Sequence, residues 1–533
     1  MSEVVARLEA IVGRDGVSTK ASRRIAYARD AWPRLFLLVR EGLTPRTPDC
    51  VVWPRTTEQV AQVVALCHET GTPIVPFGAG SGVCGGTFPL RGGVILDLKW
   101  LDHVGRVEPV DRIVTVGAGA IGQHLEDALN RQGYTLGHFP SSIHCSTAGG
   151  WVAARGAGQN SSRYGKIEDL VAGLTFVDGT GRVHRLGYAP AAGRGPDAVQ
   201  WVIGSEGVLG VVTEMDLRVR RLPRVRQMRG LLFPSVASGV EAMREMMASG
   251  LRPAVLRLYD PLDTAVNKGK GIGGGGLSIT EVLTGRVGAL FGAMGLNLKD
   301  AMVRAALFRP GLTNFLADRI GGRARMILGV EGQEERLIHH EMRRCLEIGA
   351  EYGARDLGEG PGLNWLAHRH AVSYKMSPVL LAGALVDTLE TATTWDRLLP
   401  LYKEVREALR HEAFVMAHFS HAYEDGCSIY FTFSAMADSL EEREKRYDRI
   451  WRTALDAVMR LGGTLSHHHG VGMHKQAYLQ EELGGGFELL RAMKRALDPA
   501  GILNPGKLGL LGGPALPGAP VDLRNPEELQ EVA

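Results

Sequence analysis

The chain has 533 residues, which is long for one hydrophobic core, so two or three substructures are expected. Its 61 Lys and Arg residues against 58 Asp and Glu residues leave a net charge of +3, and this balance gives no electrostatic reason to expect nucleic-acid binding. The six cysteines are scattered without a CxxC pair, which argues against a disulfide framework and against a cysteine-based zinc site.

The N-terminal region, residues 1–47, is predicted to be a helical lead-in. Its opening segment, MSEVVARLEAIVGRDGV, has the pattern of an amphipathic helix and lacks the basic start and apolar centre of a signal peptide. No run in the chain approaches the ~20 apolar residues of a membrane span. A cytoplasmic location is therefore predicted.

A glycine-rich loop follows the first predicted strand. A helix is expected from Thr57, taken as its N-cap, and a short buried strand over 72–76 precedes the loop FGAGSGVCGG. The loop contains a GxGxxG pattern beginning at Gly80, but the chain continues into a strand at 94–98 and not into a helix, which disfavours a Rossmann unit. The backbone N–H groups of such a loop can still bind a phosphate, and a plain glycine-rich turn is the alternative.

Two further segments are rich in glycine and small hydroxylic residues. The first runs from Gly137 to Val171 and includes PSSIHCSTAGGW and YGKIEDLV, and the second is GSEGVLGVVTE at 204–214. The second ends in an alternating strand pattern, EMDLRVRRL. This composition suits close packing against, and hydrogen bonding to, a large polar cofactor.

Together, in this order and spacing, the three segments resemble the FAD-binding domain of the vanillyl-alcohol oxidase/p-cresol methylhydroxylase (PCMH) superfamily. The resemblance implies an α+β fold with a two-subdomain PCMH-type FAD-binding domain at 48–222. It assigns the glycine-rich loop to the pyrophosphate, 140–146 and 153–156 to the flavin surroundings and 206–212 to the adenosine side. Some members tether FAD through a histidine in the first loop, and GAGSGVCGG has none, so noncovalent FAD is expected. The implied cofactor-binding residues are Pro76, Phe77, Gly78, Ala79, Gly80, Ser81, Gly82, Pro140, Ser141, Ser142, Ser146, Ala153, Ala154, Arg155, Gly156, Glu206, Gly207, Val208, Leu209, Gly210, Val211, Val212 and Asn504.

The composition changes after residue 222. Strands and long helices alternate, which predicts a mixed α/β substrate (cap) domain over 223–455. The segment PAVLRLYD is predicted to be a strand that carries Arg257. The glycine-rich and apolar stretch at 268–298 is either a flexible loop with an ordinary core helix or a face that contacts a membrane. The resemblance implies that the C-terminal segment 456–533 returns to the flavin through LDPAGILNPGK.

Two features near the C-terminus indicate catalytic chemistry. The segment HFSHAYEDGCSIYFTF is predicted to be a turn followed by a strand, on which Tyr430 faces away from its two neighbours. The histidine triplet, His467, His468 and His469, follows, and the glycines after it let the main chain approach a neighbour closely. Alone, the triplet fits a metal site, an acid/base centre or a polar loop.

Two subfamilies of the superfamily separate these alternatives. Metal-dependent 2-hydroxyacid dehydrogenases carry a His-x-Gly-Asp-Gly-Asn-x-His motif and a Glu-His-Gly motif that hold the metal. Here Tyr430 replaces the second histidine and His468 stands in place of the glutamate, so no metal is expected. From about residue 50 the chain instead resembles alkyldihydroxyacetonephosphate synthase (alkylglycerone-phosphate synthase), through VLRLYD, ETATTWDR, GCSIYF, GGTLSHHHGVG and LDPAGILNP.

The synthase resemblance implies an FAD-dependent transferase of ether-lipid synthesis, which replaces the acyl group of acyl-dihydroxyacetone phosphate with a long-chain alcohol. It implies that Tyr430 donates and accepts a proton, that the histidine triplet lies in the active site, and that FAD takes part without net redox change. It also implies that Arg257 binds substrate. The family's phosphate-binding arginine has no clear equivalent, and the nearest cations are Lys375 and then Arg369.

The alternative function is an FAD-dependent oxidoreductase that dehydrogenates a 2-hydroxyacid such as lactate or glycolate. A non-enzymatic flavoprotein is a third hypothesis, disfavoured because Tyr430 and the histidine triplet have no evident structural role. The expected partner is a small-molecule or lipid substrate and not a nucleic acid. Peripheral contact with a membrane and assembly into a homodimer stay open.

Overall fold

The computed structural model describes residues 2–43, 45–187, 195–268, 322–371 and 384–510, together with residues 307, 310, 311 and 314. Lys375 and the stretch at 269–298 lie outside the described residues. The chain divides into two compact units. The first unit comprises Met1–Gly158, Gly165–Leu222 and Leu465–Ala533, and the second unit comprises Gln159–Tyr164 and Pro223–Thr464, each as far as it is described.

Helices and strands are numbered in chain order over the described residues. The helices are α1 (Ser2–Val12), α2 (Ala21–Ala26), α3 (Pro33–Arg40), α4 (Thr57–Thr70), α5 (Gly122–Arg131), α6 (Ala148–Ala153), α7 (Ser161–Tyr164), α8 (Ile167–Leu170), α9 (Ala198–Val202), α10 (Val236–Ala248), α11 (Pro261–Lys268), α12 (Glu335–Glu351), α13 (Gly360–His368), α14 (Trp395–Ala408), α15 (Leu440–Arg460), α16 (Leu479–Leu483) and α17 (Gly485–Leu497). None of these described helices combines the length and apolar character that a membrane crossing requires.

The strands are β1 (Val17–Ser18), β2 (Cys50–Val52), β3 (Ile74–Phe77), β4 (Val94–Asp97), β5 (Ile113–Gly117), β6 (Tyr134–Thr135), β7 (Val171–Val177), β8 (Val183–Leu186), β9 (Val211–Arg218), β10 (Arg220–Arg221), β11 (Val225–Phe233), β12 (Val255–Tyr259), β13 (Ala324–Gly332), β14 (Arg355–Asp356), β15 (Leu385–Thr394), β16 (Phe414–Ala422) and β17 (Gly426–Ala435). Three sheets lie in the first unit, with strand orders β1-β2-β4-β3, β5-β9-β7-β8 and β10-β6. In the first of them, β4 pairs in parallel with both β2 and β3. The side chains of β2, β4 and β7 are buried along their whole length, which accounts for their nearly continuous apolar sequences.

The N-terminal lead-in is part of the first unit. It contains α1, α2 and α3, and β1 extends the sheet by pairing antiparallel with β2. The N-cap of α4 is Thr56, whose side chain accepts from the N–H of Gln59, so the prediction of Thr57 is wrong by one residue. The hydroxyl of Thr56 is the one that reaches the third helical residue, as an N-cap must. The predicted domain boundaries stay predictions.

The second unit is built on a seven-stranded antiparallel sheet with the order β14-β11-β13-β12-β16-β17-β15. One face of its central strands is apolar, since Leu258, Phe419, Ile429 and Phe431 are all buried. Helices α10, α12, α14 and α15 pack against the strands of this sheet. Because side chains alternate along a strand, the positions between these apolar residues project from the opposite face.

The segment predicted to be a turn before β17 is mostly strand, and that prediction is wrong. Strand β16 continues to Ala422, and only 423–425 form the turn to β17. Pairing with β17 satisfies the backbone hydrogen bonds of His418 and its neighbours. Tertiary contacts, and not the local sequence, therefore decide that this segment is a strand.

Candidate active site

The predicted pyrophosphate loop follows β3 and is a tight glycine-rich turn. A Cβ on Gly78 would lie 2.3 Å from Thr147 Oγ1, and one on Gly80, whose φ is +66°, would lie 2.7 Å from the Phe77 ring. The backbone N–H groups of residues 79–83 find no acceptor within the described part of the chain. A run of unpaired amide donors on a loop with few side chains is suited to binding phosphate oxygens.

The N-terminal lead-in packs directly against this loop. The N–H of Ala31 donates to the carbonyl of Gly82 at 2.8 Å. The Trp32 ring fills the space beside Gly85, where a Cβ would lie 2.8 Å from a ring carbon. The lead-in therefore supports the loop from outside, a role that the sequence alone did not indicate.

Glu206 joins two of the predicted cofactor segments to the histidine segment. Its N–H donates to the Ala153 carbonyl at 2.9 Å, and its carboxylate accepts from the N–H groups of Val471 at 2.6 Å and Gly472 at 2.8 Å. Burial raises the pKa of this carboxyl to about 6, against the opposing effect of the two amide donors. The resemblance assigns Glu206 to the adenosine side, and in the structure its carboxylate fixes the backbone just beyond the histidine triplet.

The histidine triplet lies in an irregular segment that other residues hold in place. Lys166 Nζ donates to the carbonyl of His467 at 2.8 Å, and Ser466 Oγ accepts from the N–H of Gly470 at 3.0 Å. The Nδ1 atoms of His467 and His468 are 3.0 Å apart. One of these nitrogens must donate and the other accept, so the contact holds a single proton. Two imidazoles that share a proton are suited to taking one up or releasing one.

The glycines after the triplet permit the close backbone approach that the sequence predicted. A Cβ on Gly470, at φ +83°, would lie 2.7 Å from Glu206 Oε1. A Cβ on Gly472, at φ +54°, would lie 2.2 Å from the Cys84 carbonyl oxygen. The segment therefore packs its backbone against Glu206 and against the end of the glycine-rich loop, where no side chain fits.

Asn504 connects the same parts from the C-terminal side. Its Nδ2 donates to the carbonyls of Gly86 at 2.9 Å and Glu206 at 2.7 Å. Asn504, Arg155 and Glu206 all have positive φ, at 41°, 52° and 48°. Such conformations cost roughly 1–3 kcal/mol in non-glycine residues and cluster at functional sites. Three predicted cofactor residues are thus held in unfavourable backbone conformations.

Other predicted cofactor residues have mainly structural environments. Ser146 is buried, and its Oγ accepts from Trp151 Nε1 at 2.8 Å. The side chains of Leu209, Val211 and Val212 are buried, and both valines pair with β7. This end of the predicted 206–212 segment supports the site as part of the sheet core.

His138 is a candidate that the sequence interpretation left unassigned. Both of its ring nitrogens are buried and have no hydrogen-bond partner within the described residues. Burial and the nearby charge of Lys166 lower its pKa to about 3, so the ring is neutral. Buried polar groups are nearly always hydrogen-bonded, so these two nitrogens are suited to a bound polar group. The available sequence signal was the position of His138 directly before the predicted flavin segment at 140–146.

In the second unit, a row of polar side chains crosses five strands of the sheet. Paired positions give the order Arg325 on β13, Tyr259 on β12, His418 on β16, Tyr430 on β17 and Glu390 on β15. Side chains at directly paired positions point to the same face. The sheet therefore collects titratable and cationic groups on the face opposite its apolar side.

Tyr430 lies near the centre of this polar row. Its ring stacks on His418 with centroids 4.8 Å apart at an interplanar angle of 17°, and its hydroxyl donates to Thr388 Oγ1 at 3.0 Å. Burial raises the pKa of Tyr430 to about 12, so the phenol is protonated at neutral pH. As the alternation predicted, its neighbours Ile429 and Phe431 are on the opposite, apolar side and are fully buried.

His418 is fixed by hydrogen bonds at both ring nitrogens. Arg257 Nη2 donates to Nε2 at 2.5 Å, and Nδ1 lies 3.2 Å from Asp263 Oδ2. A guanidinium can only donate, so Nε2 accepts and the ring proton is on Nδ1. Burial and the charge of Arg257 lower the pKa of His418 well below its ordinary value, so the ring is neutral. Arg257 is thereby held next to the ring that stacks on Tyr430.

His421 has a strained conformation that re-directs its side chain. It lies at a β-bulge between Ser420 and Ala422, and its φ is +56°. Its Nδ1 is 2.7 Å from Ser161 Oγ, which also lies 3.2 Å from the Tyr423 hydroxyl. Bulges re-aim side chains and are common beside active sites. No sequence pattern indicated this contact, because α7 lies far from β16 along the chain.

The two other predicted substrate cations contribute less. Arg369 follows α13, where its Nε donates to His370 Nε2 and its carbonyl accepts from Gln159 Nε2, both at 3.1 Å. Lys375 is outside the described residues. Substrate binding by Arg369 and Lys375 therefore stays a prediction.

Comparison with known proteins gives consistent matches over most of the chain. A model of the FAD binding domain matches residues 48–187, and one of FAD linked oxidases, C-terminal domain, matches residues 222–508. Alkyldihydroxyacetonephosphate synthase of Caenorhabditis elegans is 30% identical over 95% of this chain and 85% of that protein. Glycolate oxidase subunit GlcD of Bacillus subtilis is 26% identical over 95% of this chain and 96% of that protein. A solved structure of alkyldihydroxyacetonephosphate synthase matches with a TM-score of 0.73 at 26% identity, covering 95% of this chain and 84% of that one.

The chain therefore belongs to the FAD-linked oxidase family and is an FAD-dependent enzyme. Within that family it is similar to the alkyldihydroxyacetonephosphate synthases, which confirms the predicted resemblance and fold class. The described residues fit FAD, since the amide donors of residues 79–83 suit its pyrophosphate and His138 offers a buried donor and acceptor. Noncovalent attachment stays a prediction.

Proposed function

We propose that the protein is an FAD-dependent transferase that replaces the acyl group of acyl-dihydroxyacetone phosphate with a long-chain alcohol. The observation that supports this most is Tyr430, a protonated phenol on the polar face of the sheet, stacked on a neutral histidine. The similarity to alkyldihydroxyacetonephosphate synthase over 95% of the chain supports the same reaction.

The proposed exchange balances without any transfer of electrons. The bond between the terminal substrate carbon and the acyloxy oxygen breaks, and a bond from that carbon to the alcohol oxygen forms. The fatty acid leaves as a carboxylate, and the alcohol's proton passes to solvent. A proton is taken from the same carbon during the exchange and is returned to it afterwards.

The protonation states indicate which residue donates a proton and which residues accept one. Tyr430 has a pKa raised to about 12 and begins protonated, so we assign it the return of the proton to carbon. We assign removal of that proton to the imidazoles of the histidine triplet, where His467 and His468 share one proton. The triplet then releases its extra proton to solvent and Tyr430 takes one up from solvent, so both return to their starting states. FAD, when bound, supplies an electron-accepting ring and ends the cycle in its starting redox state.

The second candidate is an FAD-dependent 2-hydroxyacid oxidoreductase. It is favoured by the 26% identity to a glycolate oxidase subunit over nearly the full length of both proteins. The two candidates differ in what happens to the flavin. An oxidoreductase leaves its flavin reduced when the acceptor is absent, whereas the transferase does not.

Anaerobic mixing of FAD-loaded protein with a panel of 2-hydroxyacids distinguishes the two. We expect lactate, glycolate and longer hydroxyacids to leave the oxidised flavin absorbance unchanged. Photoreduction of the same sample is the control that shows the flavin to be reducible. Bleaching by any hydroxyacid at a rate comparable to turnover would overturn the transferase proposal in favour of the oxidoreductase.

A long-chain alcohol resides in lipid, so peripheral contact with a membrane is part of this proposal. Flotation of the protein with vesicles that contain the alcohol, compared with vesicles that lack it, tests that part. The cytoplasmic location and a homodimer stay predictions.

A further inference from the structure

We propose that Arg257 and Arg325 form an oxyanion-binding site on the polar face of the sheet, and that its ligand is the phosphate monoester of the substrate. The sequence predicted no phosphate-binding residue that the structure places beside Tyr430, and it did not single out Arg325. The inference rests on the proposed function for the identity of the phosphate ester, and on the geometry alone for the anion site.

The two arginines converge on one side chain. Arg325 pairs directly with Tyr259 across β13 and β12, and Arg257 lies two residues before Tyr259 on β12, so all three project from one face. The guanidinium carbons of Arg257 and Arg325 lie 5.4 Å and 5.8 Å from the centroid of the Tyr259 ring. Two cations on adjacent strands therefore lie beside the same aromatic ring.

Each guanidinium keeps an unused donor. The Nε atoms of Arg257 and Arg325 are both buried and have no hydrogen-bond partner within the described residues. Other arginines of this unit are satisfied by carboxylates, as Arg226 is by Glu331 at 2.6 Å. Buried donors without an acceptor cost free energy, and a bound oxyanion would supply acceptors for both.

The local charge also favours the binding of an anion. Asp263 is an acid whose charge acts on Arg325, and its carboxylate lies 3.2 Å from His418 Nδ1. With His418 neutral, the guanidinium groups of Arg257 and Arg325 outnumber the one carboxylate that acts on Arg325. Burial lowers the pKa of Arg325, which shows that its charge is poorly solvated. An added anion would offset that desolvation.

A phosphate monoester suits this site better than a carboxylate does. It carries a charge of about −1.5 to −2 at neutral pH and three acceptor oxygens, enough for two planar guanidinium forks. His418 holds Arg257 through Nη2 and stacks on Tyr430, so a phosphate bound by Arg257 lies near the phenol. The arrangement would place a phosphorylated substrate within reach of the group that transfers the proton.

The test is calorimetric titration of dihydroxyacetone phosphate into FAD-loaded, full-length protein. Arg257→Gln and Arg325→Gln should each weaken binding by about tenfold or more, since each removes charge-assisted hydrogen bonds to one ligand. Arg323→Gln is the matched control, because Arg323 is an exposed arginine two residues before Arg325, and it should change binding less than about twofold. In the double variant the loss should be smaller than the product of the single losses.

Further arms separate the ligand classes. Unphosphorylated dihydroxyacetone should show no dependence on either arginine. If glycolate instead binds more tightly than dihydroxyacetone phosphate, and loses affinity in both variants, the phosphate assignment is overturned while the oxyanion site stands. If Arg325→Gln does not fold with FAD, Arg325→Lys is the second variant. It keeps the positive charge but lacks the planar guanidinium that can donate two parallel hydrogen bonds, and it should still weaken binding severalfold.

Wild-type affinity for dihydroxyacetone phosphate in both Arg325 variants would overturn the site. This outcome is distinct from failure of the proposed function. Arginine-dependent phosphate binding without any acyl-for-alkoxide exchange would reject the transferase and keep the site, whereas exchange at wild-type KM in Arg325→Gln would reject the site and keep the transferase.

Discussion

The two units build their functional parts from different kinds of atoms. In the first unit the contacts around the glycine-rich loop and the histidine segment have main-chain partners: the amide donors of residues 79–83, the backbone of Gly470 and Gly472, and carbonyls bound by Asn504. In the second unit they are made by side chains on neighbouring strands, with Tyr430 and His418 at the centre. Backbone geometry is lost when the local fold is lost, whereas a side chain on a paired strand can be changed while the strand remains.

This difference predicts different failures in the two units. Substitutions at the first unit's contacts should remove the cofactor and the fold together. Substitutions on the polar face of the second unit should remove activity and leave the bound cofactor and the fold intact. Single substitutions in both units test that contrast.

The largest effect is expected from Gly472→Ala. Its Cβ would lie 2.2 Å from a backbone carbonyl oxygen at φ +54°, so the histidine segment must move away from the glycine-rich loop. We expect the free energy of unfolding to fall by about 3 kcal/mol or more, with loss of bound FAD, as measured by urea denaturation and by the ratio of flavin to protein absorbance. Gly71→Ala is the control, since Gly71 has φ +63° but open space around its Cβ position, and should cost only about 1 kcal/mol. Equal effects of the two variants would refute the close-approach argument.

The next largest effect is expected from Tyr430→Phe. The ring keeps its stacking on His418, but the proton donor is gone, so exchange should slow by about a hundredfold or more, with FAD content and melting temperature nearly unchanged. Tyr402→Phe is the control, because Tyr402 is also a buried tyrosine and its hydroxyl lies 3.2 Å from Asp260 Oδ2. That variant should lose stability and keep activity within severalfold. A Tyr430→Phe protein with wild-type kcat would remove the phenol from the mechanism.

A smaller, pH-dependent effect is expected from Glu206→Gln. A carboxyl whose folded pKa of about 6 exceeds its unfolded value binds an extra proton on folding between the two values, so wild-type stability gains as pH falls through about 6. Glutamine cannot titrate, and at neutral pH it also leaves one of the two backbone donors without an acceptor. The free energy of unfolding of the wild type, relative to that of the variant, should therefore rise by about 1 kcal/mol between pH 7.5 and pH 5. A change in the opposite direction would show that the amide donors, and not burial, control the pKa.

The smallest effect is expected from Ser161→Ala. Loss of the contact to His421 should lower the free energy of unfolding by about 1 kcal/mol and reduce activity by less than about tenfold. Ser162→Ala, on the same short helix, is the control and should have a smaller effect on both. A loss of activity as large as that of Tyr430→Phe would place Ser161 and His421 among the reacting groups.

The contrast between the units also explains what the sequence could predict. The glycine-rich loop and the glycines after the histidine triplet were predictable, because backbone contacts require particular residues at short spacings. Asn504 was implied by the resemblance to the superfamily. The orientation of Tyr430, away from Ile429 and Phe431, followed from strand alternation alone. The roles of Arg325 and His418 did not follow, because they depend on the register between strands that are distant along the chain. His418 was even placed in a turn, since local sequence does not reveal that β17 pairs with it.

The most direct test of the transferase activity follows ether product formed from acyl-dihydroxyacetone phosphate and a long-chain alcohol, anaerobically and without any electron acceptor. We expect many turnovers per FAD in the wild type, release of one fatty acid for each ether formed, and a flavin that is still oxidised at the end. Product that appears only when an electron acceptor is added, or a flavin that becomes reduced in step with substrate consumption, would contradict the transferase proposal.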